Sequence, residues 1–149
     1  MNDDLLVGID EYRVLNEENP IAYTRDVTTC VVCLIHRQND SVLMHIEAFD
    51  YSMDLDNFLE IVGDYKENPI TLVEIFKGQH TSLGSLSILK FMLHKINVPY
   101  EIHDVFKNTS NETSVGYNYE TKDYYIARMN KGVPKLTKKR LYSETSKHA

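Results

Sequence analysis

The sequence predicts an α+β domain: a mixed, largely antiparallel, sandwich-like core of about eight strands with two main helices. Three observations point there. Apolar runs rich in β-branched residues, such as Val31-Val32-Cys33-Leu34-Ile35, recur between Asn, Asp, Pro and Gly punctuation. Two segments switch to helical spacing, Leu55-Phe58-Leu59-Val62 and Leu83-Leu86-Leu89-Leu93-Ile96. Strands come first, helices are then interleaved with strands, and strands close the chain, which fits layered rather than strictly alternating α and β. No Gly-rich loop follows a strand, so an uninterrupted dinucleotide-binding unit is not expected.

Taken in order, Leu5-Leu6-Val7-Gly8-Ile9 and Tyr12-Arg13-Val14-Leu15 read as short strands. Asn19-Pro20 marks a turn, and Ile21-Ala22-Tyr23-Thr24 leads towards Cys30. Residues 28–36 form a buried strand, Gln38-Asn39-Asp40 has turn chemistry, and residues 41–48 form its antiparallel partner. Ser52 or Asp54 can cap the first helix. Residues 70–76 follow Asn68-Pro69 as a strand. The second helix starts near Thr81-Ser82 and stops before Pro99. Residues 100–106, 114–119 and 123–129 complete the strands, the last two as a hairpin through Glu120-Thr121-Lys122.

With 149 residues, the chain reads as one domain over 1–130 followed by a basic tail over 131–149, where Lys131, Lys135, Lys138, Lys139 and Arg140 cluster. That tail is either a solvated segment or a docking patch for an acidic partner. A net charge of −6 argues against nucleic acid as the main partner. No apolar run approaches the roughly 20 residues of a bilayer span, so no membrane partner is expected. Met1-Asn2-Asp3-Asp4 is acidic where a secretory signal would be basic. The reading is a cytoplasmic protein, with export as an effector left open; its oligomeric state is not legible.

Cys30 and Cys33 are free thiols in this reading. On a strand their Cα atoms lie roughly 10 Å apart with side chains on opposite faces, which forbids a bridge. Cys30 stands behind Asp26, Thr28 and Thr29 at the mouth of a strand, and His45 follows in the next apolar run, Val42-Leu43-Met44-His45-Ile46. A thiol beside an imidazole can serve as a nucleophile whose proton the ring accepts. A third group must then hold the ring's tautomer, and Thr24, Thr28, Glu47 and Asp50 are all available. The plainer alternatives are a small buried cysteine and a satisfied core histidine. A tight hairpin pairing Arg37 with Ser41 would set His45 opposite Cys33, which keeps Cys33 as a rival thiol. Zinc held by Cys30, Cys33, His36 and His45 is disfavoured because strand alternation separates the two thiols. His80, His94 and His103 look scattered, so no metal site is expected.

Asp26-Val27-Thr28-Thr29-Cys30, Val31-Val32-Cys33-Leu34-Ile35-His36-Arg37 and Leu43-Met44-His45 together resemble the active-site region of protein N-terminal asparagine amidohydrolases. They are also similar to chemoreceptor glutamine deamidases of the CheD type and, more remotely, to the catalytic domains of cytotoxic necrotizing factor toxins. Val73-Glu74-Ile75-Phe76-Lys77-Gly78, the strand from Pro99 to Val105 and the hairpin from Val115 to Ile126 follow in the same order, so the resemblance spans roughly residues 5–130. The Cys30–His45 interval is shorter than in the first two groups and like that of the toxins. The glycine pair usual before the second helix is reduced to Gly78.

The resemblance implies a CheD/toxin-like fold and a cysteine-dependent deamidase that needs no cofactor. Its substrate would be a protein or peptide Asn or Gln side-chain amide, converted to the acid with release of ammonia. It carries Cys30 as nucleophile, His45 as base, and Thr24 and Thr29 as further catalytic residues, Thr24 standing six residues before the thiol as in the CheD enzymes. Thr28, Asp26 and Glu47 are the substrate-binding candidates. An enzyme of the N-terminal type needs acids for the substrate's α-ammonium, and Glu47, Asp50 and Asp104 are available. The alternatives are glutamine deamidation in a folded partner and an inactive binding module on the same fold.

Overall fold

A computed structural model describes residues 5–47, 58, 60, 66–104, 106, 113–130 and 133–140. Among these, nine strands form two sheets with one helix, an α+β architecture. The strands are β1 (Glu11–Leu15), β2 (Ile21–Arg25), β3 (Val31–Arg37), β4 (Ser41–Ile46), β5 (Ile70–Lys77), β6 (Tyr100–His103), β7 (Thr113–Asn118), β8 (Asp123–Asn130) and β9 (Val133–Arg140); the helix α1 is Leu83–Lys95. One sheet runs β1-β4-β3-β5-β6 and the other β2-β7-β8-β9. All pairings are antiparallel except β5–β6, which are parallel and joined through α1.

Alternation along β3 explains the layering. Val31, Cys33 and Ile35 face α1, where Leu86, Leu89, Met92 and Leu93 cover them together with Phe58. Val32 and Leu34 face the opposite way, into a second core shared with Ala22, Val115, Tyr117, Tyr124 and Ile126 of the other sheet. The five-stranded sheet is therefore the middle layer, buried on both sides, which is why β3 and β4 read as continuous apolar runs. Each large side chain sealed there contributes roughly 1.5–3 kcal/mol.

Ser82 caps α1, its hydroxyl accepting from the Ser85 amide at 3.0 Å. Leu83, the first residue of the expected stripe, is 79% exposed, while Met92 joins the packed face. The first expected helix lies outside the described residues, apart from Phe58 and Glu60. Residues 5–9 make only an isolated parallel bridge, Leu6 to Tyr23, in place of a strand.

Two differences from the sequence reading bear on the site. Val133–Arg140, inside the segment read as a tail, pairs with β8 along its length. Pro134 and the lysines disguised it, features suited to an edge strand. Second, the β3–β4 hairpin pairs His36 with Ser41 and Val32 with His45, one residue away from the expected register. Arg37 grips Asp40 through Nε and Nη2, and the Arg37 amide donates to the Asp40 carbonyl at 2.9 Å. That bond closes the hairpin over Gln38-Asn39, one residue tighter than the three-residue loop left by pairing Arg37 with Ser41.

Candidate active site

The one-residue register change decides which thiol can meet the imidazole, because a slip of one flips every side chain to the other face. Cys33 pairs with Met44 and lies fully buried under α1, where burial pushes its thiol up to about 12. It is out of play as His45's partner. By strand alternation Cys30 falls on the face that carries Val32 and His45, diagonally across from the ring. Cys30 precedes the first ladder residue, Val31, and its sulfur makes no hydrogen bond to His45 Nε2.

The backbone around Cys30 is tightly placed. Asp26 adopts φ 63°, ending β2 and redirecting the chain. Val27 is stapled to β7, its amide donating to the Thr113 carbonyl while the Thr113 hydroxyl donates to the Val27 carbonyl. The His80 amide donates to Thr28 O at 2.8 Å, and the Thr81 hydroxyl donates to Cys30 O at 2.6 Å while accepting from the Gly78 amide. Gly78 is obligatory here: a Cβ would sit 2.2 Å from Thr28 O.

His45 is fully buried, and Thr24 reaches it from the other sheet. Thr24 Oγ1 lies 2.6 Å from His45 Nδ1 and 2.6 Å from the Val7 carbonyl. The hydroxyl has one proton, and a carbonyl can only accept. Thr24 must therefore donate to Val7 O and receive a hydrogen bond from Nδ1–H. That fixes the neutral tautomer and leaves a lone pair on Nε2. Nε2 is the one buried side-chain N or O without a hydrogen-bond partner among the described residues. Such an atom costs stability and is tolerated where it has work to do. Of the four groups considered for the third role, Thr24 takes it. Thr28 and Glu47 make no side-chain hydrogen bond to the ring, and Asp50 lies outside the described residues.

Burial lowers the His45 pKa, partly opposed by the charges of Asp10 and Asp26. The ring is consequently neutral near pH 7. Burial raises the Cys30 thiol, a hydrogen bond with the Thr29 side chain opposes this, and Glu47, Asp10 and Asp26 raise it further. Both groups feel the charges of Asp10 and Asp26, Cys30 feels Glu47 as well, and all three acids are exposed. This setting favours a neutral thiol and neutral imidazole at rest over a preformed ion pair.

Asp10 is the residue the sequence reading missed. Its φ of 63°, its amide bond to the His45 carbonyl and its carboxylate bond to the Glu47 amide at 3.1 Å lock it to β4. Only an unremarkable Gly-Ile-Asp loop signalled it. Asp104 belongs elsewhere, 3.7 Å from Lys77 Nζ.

The four candidate zinc ligands are not assembled, since Cys30 and Cys33 take opposite faces and His36 turns to Glu74. No helix among the described residues is long and apolar enough to cross a membrane. No family model and no curated protein matches the chain.

Proposed function

We propose that this chain is a cysteine-dependent amidohydrolase that deamidates Asn or Gln side chains in proteins, most like the N-terminal asparagine amidohydrolases, on a CheD/toxin-like fold. The observation that carries this reading is the Nε2 lone pair of His45, fixed by Thr24 and left without a partner on the face of Cys30.

Neutral Nε2 takes the thiol proton as sulfur attacks the carboxamide carbon, so the costly separate thiolate need not accumulate. A tetrahedral intermediate forms, and imidazolium Nε2–H delivers its proton to the departing nitrogen, releasing ammonia. The remaining thioester is cleaved by water whose proton His45 accepts, giving the carboxylic acid and restoring the thiol. Throughout, Thr24 keeps Nδ1–H directed at a hydroxyl whose own proton is committed to Val7. Thr29 lowers the thiol's cost of ionisation. Amide hydrolysis needs neither redox nor phosphoryl chemistry, so no cofactor is called for.

Asp10, Asp26 and Glu47 favour a substrate with a free α-ammonium beside the amide, which supports the N-terminal reading over attack on a folded partner. Intact-mass analysis of peptides bearing N-terminal Asn, N-terminal Gln or internal Gln tests this directly. Conversion of the N-terminal Asn peptide, with ammonia release lost in Cys30→Ala and His45→Ala, is expected. No conversion of any peptide by folded wild-type protein would sink the deamidase reading. Conversion of internal Gln alone would transfer it to the partner-directed type.

A further inference from the structure

On the same face of the middle sheet, spread over β3, β5 and β6, lies a second polar cluster. Glu74 of β5 is fully buried between two imidazoles. His36 Nε2 is 3.2 Å from Glu74 Oε2, and His103 Nε2 is 2.9 Å from Glu74 Oε1. The parallel register sets Glu101 beside Glu74 and His103 beside Phe76. His103 is also 3.8 Å from Glu101 Oε2. One ligand atom each from Glu74, Glu101 and His103 lie within 4.8 Å of one another.

We propose that Glu74, Glu101 and His103 bind a first-row divalent cation of the Zn²⁺ or Co²⁺ type at the β5–β6 edge.

Three arguments support this. Metal–ligand bonds of about 2.0–2.2 Å hold ligand atoms roughly 3–3.6 Å apart, and the observed 2.9 and 3.8 Å bracket that spacing. One imidazole with two carboxylates suits borderline cations rather than soft ones. The surroundings are also pre-organised. Phe76 stacks on the His103 ring at 4.9 Å with Tyr124 nearby at 5.9 Å, and His36 binds the second Glu74 oxygen while its own Nδ1 contacts Ser41 Oγ. That arrangement is the outer-shell support that orients a metal-binding carboxylate.

Charge points the same way. The cluster holds two carboxylates, one sealed from water, and a divalent cation would neutralise both. On binding, His103 presents the Nε2 lone pair with its proton on Nδ1. Glu101, with its side chain 58% exposed, can swing in to close the set. The ion would tie edge strand β6 to β5.

The test is equilibrium dialysis of Co²⁺ against the full chain carrying Cys30→Ser, which removes the thiol as a competing ligand. We expect saturation at one ion per chain and a cobalt-dependent rise in Tm. His103→Gln should abolish both, and Glu101→Gln should weaken binding at least about 10-fold. Should His103→Gln fail to fold, the exposed Glu101→Gln change carries the comparison alone. Absence of saturable uptake, or uptake that neither variant alters, overturns the proposal. The outcome is independent of deamidase activity, since the protein used lacks the nucleophile.

Discussion

Two buried histidines on one face of the middle sheet are held in opposite ways. His45 is held through Nδ1 by a neutral hydroxyl, and its other nitrogen has no partner. His36 has both ring nitrogens engaged, one by Ser41 and one by the Glu74 carboxylate. At His45 the hydroxyl orients the ring and leaves the second nitrogen open, whereas Ser41 and Glu74 occupy both nitrogens of His36. The first arrangement suits a group that must gain and lose a proton in each turnover, the second a group that stays put.

The sharpest way to break this contrast is at the reacting atoms. Cys30→Ala or His45→Ala should reduce ammonia release to background while Cys33→Ala leaves kcat/KM within about twofold, as assay of the three purified variants will show. Next, Glu74→Ala removes the centre of the second cluster and should cost about 3–5 kcal/mol by denaturant unfolding. The acid limb separates the sites further. Burial raises Glu74, but hydrogen bonds from His103 and then His36, with their charges, hold it below its ordinary 4.5. A depressed carboxylate contributes stability above its unfolded pKa and loses it as pH falls through the folded value. Wild-type stability should therefore fall below about pH 4.5, and Glu74→Gln should flatten that fall.

At the first site, Thr24→Val should lower kcat roughly 10- to 100-fold, the equivalent of leaving one buried polar group unpaired. Because burial holds His45 below its ordinary 6.5, the acid limb of kcat/KM should lie under pH 6.5, with the neutral ring as the active form. At pH 7, Cys30 should be alkylated by iodoacetamide more slowly than free cysteine, the reverse of an ion-paired thiol, since burial and three acids keep it protonated. Gly78→Ala should cost at least about 3 kcal/mol in denaturant unfolding, since its Cβ would meet the Thr28 backbone rather than a side chain that can swing away.

Much of the layering was legible because β3 and β4 are continuous apolar runs, β5, β7 and β8 are bounded by turn residues, and α1 carries its helical spacing. The thiol and the ring could be named from composition and order alone. Their relation could not, since a three-residue loop over Gln38-Asn39-Asp40 and the observed two-residue turn at Gln38-Asn39 suit the residues equally well and differ by one step of register. Thr24 could be shortlisted but not chosen, because its contact with His45 crosses between sheets and leaves no trace in local spacing. Glu74 was hidden differently. A lone acid within Leu72-Val73-Glu74-Ile75-Phe76 was the available signal, and its partners His36 and His103 come from two other strands.

Strand β9 carries a practical consequence. A fragment ending at residue 130 would strip β8 of its neighbour and bare a row of amide and carbonyl groups over Asp123–Asn130. Unsheathed ladders of that kind recruit whatever strand drifts past, including a second molecule's own β8. Shortening the polypeptide at that point would therefore invite clumping.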